Sequence, residues 1–148
     1  MQAAPLLKQI ADAFPPEPVP GRDEILHAGA LAGESEVEEI RAFFAGRPWS
    51  SVTPPDIFRF RHALSFFSPR ALAYYTAAWM TCALLDEDAV DTAIEDLVGT
   101  AERVEPDLWT RDQKAAILGW LLHFRDTGSS SFRRLCEKAV RKFVKMKG

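Results

Sequence analysis

The sequence predicts an all-α fold, a single-domain bundle of about six or seven helices spanning residues 1–148. Three observations predict it. Alanine (21) and leucine (14) far outnumber valine plus isoleucine (14 together), and β-branched side chains lose χ1 freedom in helices but suit strands. Proline and capping residues punctuate the chain at helix-length intervals. No run of alternating residues and no Asn-Gly turn marks a hairpin. A chain of 148 residues that is 47% hydrophobic is long enough for one core and short for two.

The elements follow in order. A first amphipathic helix covers about Pro5–Phe14. The stretch Pro15–Gly21 then forces an extended turn, because its four prolines fix φ and remove donors. Residues 22–33 have no clear pattern. A second helix, Glu34–Ala45, puts Val37, Ile40, Ala42, Phe43 and Phe44 on one side, has acids in its first turn and stops at Gly46. Thr53-Pro54-Pro55-Asp56 supplies an N-cap, an N1 proline and a first-turn acid for a helix running to Leu64. Ser68-Pro69 repeats the device and opens a long apolar helix to Leu85. A further helix covers about Asp88–Val98 and stops at Gly99. Thr110-x-x-Gln113 is a capping box for a helix to Arg125, and Ser131 caps a last one from Phe132 to Lys145. Ala71–Leu85 and Ala115–Phe124 are apolar nearly all round, which predicts that they form the centre. Ala71–Leu85 has fifteen uncharged residues, short of the roughly twenty that span a bilayer.

Several chemistries lack their residues. There is no His-Glu-x-x-His, Cys-x-x-Cys, EF-hand loop, P-loop or Gly-x-Ser-x-Gly. His123 and Asp126 are spaced for a hydrogen bond but have no nucleophile beside them. Cys82 and Cys136 each fall within an apolar helical pattern and read as small core residues. The N-terminus has no basic stretch ahead of a cleavable apolar run, so a cytoplasmic protein is expected. The formal charge of −3 gives no reason to expect nucleic acid. No cofactor is expected.

Three features could nevertheless carry function. Ten of the sixteen aromatic residues lie between Phe43 and Trp79, interleaved with arginines. Buried tyrosines need hydrogen-bond partners, and arginine on aromatic faces is a recognition device. Trp49, Arg59, Arg61, His62, Tyr74 and Tyr75 are therefore the candidate binding residues. Asp88, Asp91 and Glu95 share a helical face that, opposed by Glu36 and Glu39, could hold divalent metal for a hydrolase of a phosphorylated small molecule. Such an acidic first turn is also ordinary helix capping. Residues 129–148 carry seven basic residues and one acid, on a helix whose apolar stripe is Phe132, Leu135, Cys136, Ala139, Val140, Phe143 and Met146. The stripe predicts docking on the core; an anionic partner or a membrane surface is the alternative.

The segment from Trp49 to Trp79 contains Ala63-Leu64-Ser65-Phe66-Phe67-Ser68-Pro69-Arg70-Ala71-Leu72-Ala73-Tyr74-Tyr75, followed by Ala77-Ala78-Trp79-Met80. It resembles a family of small bacterial proteins sharing a loop Trp, a Leu-x-Phe-[Phe/Leu]-[Ser/Thr]-Pro turn and Ala-[Phe/Leu]-x-Tyr-Tyr-x-x-Ala. That family is similar to single-domain immunity proteins found beside bacterial toxins. The likeness is good over about a fifth of the chain and looser around Glu34–Trp49 and Asp112–Phe124. It implies no activity and assigns no functional residue. Together with the acidic body, it makes a non-enzymatic protein-binding module the expected function, as a monomer or weak dimer. The expected partner is another protein; a basic one would be met by Glu34, Glu36, Glu38, Glu39, Asp86, Glu87, Asp88 and Asp91.

Overall fold

A computed structural model describes residues 3–30, 34–86, 89, 92–93, 95–97, 107–127, 133–134 and 136–141. Three of the helix starts carry side-chain hydrogen bonds in their first turn, where backbone N–H groups have no partner within the helix. Helix α1 is Ala3–Ala13 and α2 is Ser35–Phe44. Helix α3, Pro54–Arg59, follows Thr53, whose N–H and hydroxyl both donate to Asp56 Oδ2 at 2.9 Å. Helix α4 is the short Ala63–Phe66. Helix α5, Pro69–Leu85, is capped by Ser68 Oγ, which accepts the Ala71 N–H at 3.0 Å. Helix α6, Arg111–Thr127, opens on the reciprocal box between Thr110 and Gln113 at 3.0 and 3.2 Å. Short 3-10 turns occupy Arg22–Glu24 and Trp49–Ser51. Residues 92–93, 95–97, 133–134 and 136–141 are also helical. The fold is all-α; among the described residues the one β-type pairing is an isolated antiparallel bridge between Leu26 and Phe67.

One expected element is divided. The helix from Pro54 to Leu64 ends at Arg59, Phe60 leaves helical geometry (φ −112°, ψ 36°), and α4 begins at Ala63. Ile57, Phe60 and Leu64 keep helical spacing and all turn inward, so the apolar pattern continues across the break. What the break changes is the polar side, where Arg61 and His62 project from a corner.

Helix α5 is the centre of the core, with eleven of its residues buried. Helix α6 buries one stripe, Ala116, Ile117, Trp120, Leu121 and Phe124, and leaves Leu118 and Leu122 half-buried. Helix α1 packs against both. The close approach of α1 to α6 uses Gly119, where a Cβ would meet Gln9 Oε1 at 3.3 Å and Leu6 Cδ2 at 3.4 Å. The Trp120 indole donates to the Met80 carbonyl at 3.0 Å and ties α6 to α5. Phe44 is the hub of an aromatic cluster touching Phe43, Phe60, Phe67, Tyr75 and Trp79.

In the basic C-terminal segment, Cys136 and Ala139 are buried in this core and Val140 packs on it, while Arg133, Arg134, Lys138 and Arg141 face out. These residues dock as the stripe predicts; Phe132, Leu135 and Phe143 lie outside the described residues. Among the described residues no helix is long and apolar enough to cross a membrane.

Candidate functional site

The six candidate binding residues separate into two groups. Trp49, Tyr74 and Tyr75 are interior, at 8%, 8% and 0% exposure. Their polar atoms are occupied by the protein's own backbone. The Trp49 indole donates to the Phe14 carbonyl at 3.0 Å, and the Tyr74 hydroxyl donates to the Pro16 carbonyl at 2.8 Å. Arg70 donates to the Pro18 carbonyl at 2.8 Å and the Gly46 N–H donates to Pro20 at 2.9 Å. The carbonyls of residues 14, 16, 18 and 20 thus all accept, and the proline-rich segment is a strap laced across α5 and the Trp49 turn. Prolines suit this role because an extended chain without N–H groups offers acceptors alone. The Tyr75 hydroxyl reaches the carbonyls of Phe44 and Arg47 at 2.6 and 2.7 Å, and burial pushes its pKa upward. Ser68 completes the clamp: its hydroxyl donates to the Glu24 carbonyl and Arg70 pairs with Glu24 at 3.0 Å.

Arg59, Arg61 and His62 form the second group, all exposed at the α3–α4 corner. Phe58 beside them is 44% exposed, one of two large hydrophobic residues left open among the described residues; the other is Leu85. The Arg59 guanidinium lies 4.7 Å over the Phe60 ring. Phe60 in turn lies 4.6 Å from Phe43, and the Arg47 guanidinium covers Phe43 at 4.0 Å. Phe58 and Arg47 belong to this surface and were not among the sequence candidates; adjacency to Arg59 and helical spacing from Phe43 were their only signals.

Behind the corner, the half-buried Asp96 accepts the Trp79 indole N–H at 2.9 Å. Burial raises its pKa to about 6, against the opposing pull of the Trp79 hydrogen bond and of the His62 and Arg61 charges. Within the acidic run from Asp86 to Asp96, nothing in the sequence distinguishes this carboxylate from the others.

The remaining candidates have plain placements. Glu36, Glu39 and Glu95 are exposed, while Asp88 and Asp91 lie outside the described residues. Among the described residues no three His, Cys, Asp or Glu side chains gather as a metal site. His123 meets the Phe124 ring at 4.9 Å and burial lowers its pKa, while Asp126 pairs with Arg125 at 3.0 Å. A shallow groove of about 330 Å³ between α1 and α6 contains Lys8, Gln9, Asp12 and Asp112. Its lysine is already paired with Asp12 at 2.8 Å. None of these placements brings a nucleophile to a base.

Compared with known proteins, the chain matches no family model, no curated protein and no solved structure.

Proposed function

We propose that the protein is a non-enzymatic protein-binding module of the cytoplasm, in keeping with the resemblance to immunity proteins, and that the α3–α4 corner is its contact surface. The observation that carries this reading is the exposed Phe58 set among the exposed Arg59, Arg61 and His62. Aromatic and arginine side chains are the types enriched at the energetic centres of interfaces. The interior tryptophan and tyrosines hold the strap and the end of α2 and make no contact with a partner themselves.

The test is capture from a lysate of the source organism at low salt, with the product of the neighbouring gene also tried directly. Wild type is compared with a Phe58→Ser, Arg61→Glu variant of matched thermal stability. A protein retained by wild type and lost by the variant supports the reading. Equal retention by both, or none by either, overturns it.

A second surface is favoured by its own observation. Glu34, Glu36 and Glu39 are exposed on α2 and make no ion pair among the described residues. A basic partner would gain on-rate and specificity from them. Reversing all three charges would abolish such binding and leave binding at the corner intact.

A further inference from the structure

The corner's cations indicate what chemistry a partner must bring. Lys8, Arg22, Arg41 and Arg70 each have a carboxylate within ion-pair distance. Arg47, Arg59 and Arg61 have none among the described residues. In a chain with 21 acids to 18 basic residues, Arg47 and Arg59, without an ion pair among the described residues, are cations open to an outside carboxylate, while Arg61 also acts on Asp96.

Two of the three are also held in place. Arg47 lies 4.0 Å over Phe43, Phe43 lies 4.6 Å from Phe60, and Arg59 lies 4.7 Å over Phe60, so the two guanidinium carbons are no more than about 13 Å apart. Arg47 Nε also donates to the Phe43 carbonyl at 2.8 Å, which fixes its plane and leaves its terminal nitrogens. A guanidinium stacked on a ring loses less freedom on binding than a free one and still presents its fork of donors to a carboxylate. A span of at most about 13 Å is at most four residues of extended chain at about 3.3 Å each.

We propose that the corner takes a short extended acidic segment of a protein partner, with carboxylates no more than four residues apart meeting Arg47 and Arg59. Arg61 and His62 add to the field, and the exposed Phe58 beside Arg59 offers an apolar contact. The inference rests on the protein-binding reading above and names the chemistry of the partner. Nucleic acid fits less well. Its charge continues past any three cations, and residues 1–128 carry 20 acids against 11 basic residues, which repel a long polyanion. A segment with two acids makes no such demand.

The probe is an acetylated, amidated, fluorescently labelled Gly-Glu-Thr-Val-Thr-Glu-Gly peptide, titrated with full-length protein at low salt and read by anisotropy. The controls are the same peptide with both acids replaced by glutamine and a labelled oligothymidylate. The acidic peptide should bind more tightly than its glutamine form. Arg47→Ala and Arg59→Ala should each weaken it about threefold, the effect of a partly exposed charge pair. Arg59→Lys keeps the charge, loses the planar fork and should also weaken binding; it serves if an alanine variant fails to fold. Equal binding of the two peptides, unchanged affinity in the arginine variants, or tighter binding of the oligonucleotide overturns the inference. A partner captured through Phe58 and Arg61, with no response to the acidic peptide, overturns it and leaves the protein-binding reading standing. Acidic-peptide binding weakened in both arginine variants, with no protein captured, supports the acidic-ligand chemistry of the corner and overturns the protein partner.

Discussion

Asp96→Asn should stabilise the protein at neutral pH and leave its stability at pH 4 nearly unchanged. The asparagine Oδ1 still accepts the Trp79 indole N–H that Asp96 accepts at 2.9 Å, so the substitution removes charge and keeps the hydrogen bond. Burial raises the Asp96 pKa from 3.8 to about 6. Well below pH 3.8 the carboxyl is protonated in both folded and unfolded chains, and the site has no electrostatic cost; at pH 4 little of that cost has yet developed. Between pH 4 and about 6 the unfolded chain releases its proton first, so the native state binds more protons and stability falls. Above pH 6 both states are ionised and the full cost stands. Two units at 1.36 kcal/mol each give roughly 3 kcal/mol as a ceiling. The side chain is only half-buried, and solvent screening reduces this to about 1–2 kcal/mol. Urea unfolding of both proteins at pH 4, 6 and 7.5 measures the difference. A gap that is constant across pH, or an asparagine variant less stable at pH 7.5, would refute the reasoning.

Three further outcomes are expected. Trp79→Ala, at a residue with no exposed surface, should cost about 3–5 kcal/mol by chemical denaturation; a loss below about 1 kcal/mol would contradict its central place. Ser68→Ala removes both the cap on Ala71 and the bond to the Glu24 carbonyl, and should cost about 1–2 kcal/mol with partner capture unchanged. Deleting residues 131–148 removes Cys136 and Ala139 from the core and should lower stability by several kcal/mol at about 25 cal/mol per Å² of apolar surface; a truncated chain as stable as the full one would mean that this segment contributes nothing by docking.

What could be read in the sequence is local. Ser68 and Thr110 accept backbone N–H groups three residues away, and Thr53 donates to the Asp56 carboxylate at the same spacing, within reach of a spacing rule, and each opens a helix where expected. The binding candidates failed to group for the opposite reason. The Trp49 indole reaches 35 residues back to Phe14, and Tyr74 reaches 58 back to Pro16. A sequence shows that a buried tyrosine needs an acceptor but not which carbonyl supplies it. The corner was hidden by an apolar pattern that continues through a broken helix, since Ile57, Phe60 and Leu64 face inward on either side of the break. Asp96 was hidden by its company, because pattern alone cannot say which carboxylate of an acidic run turns toward an indole.

The two cysteines give the molecule its own clocks. Cys82 is fully buried in α5, with Sγ against the Val52 carbonyl at 3.4 Å, and Cys136 is fully buried in the basic C-terminal segment. Burial pushes their pKa values to about 12 and about 11, so neither presents thiolate to a labelling reagent while packed. Each therefore reacts only when its own segment opens, and the two reaction rates separate release of the C-terminal segment from opening of the α5 core. Equal rates would mean one cooperative unit, while a faster Cys136 would mean that the tail detaches and returns many times for each complete unfolding.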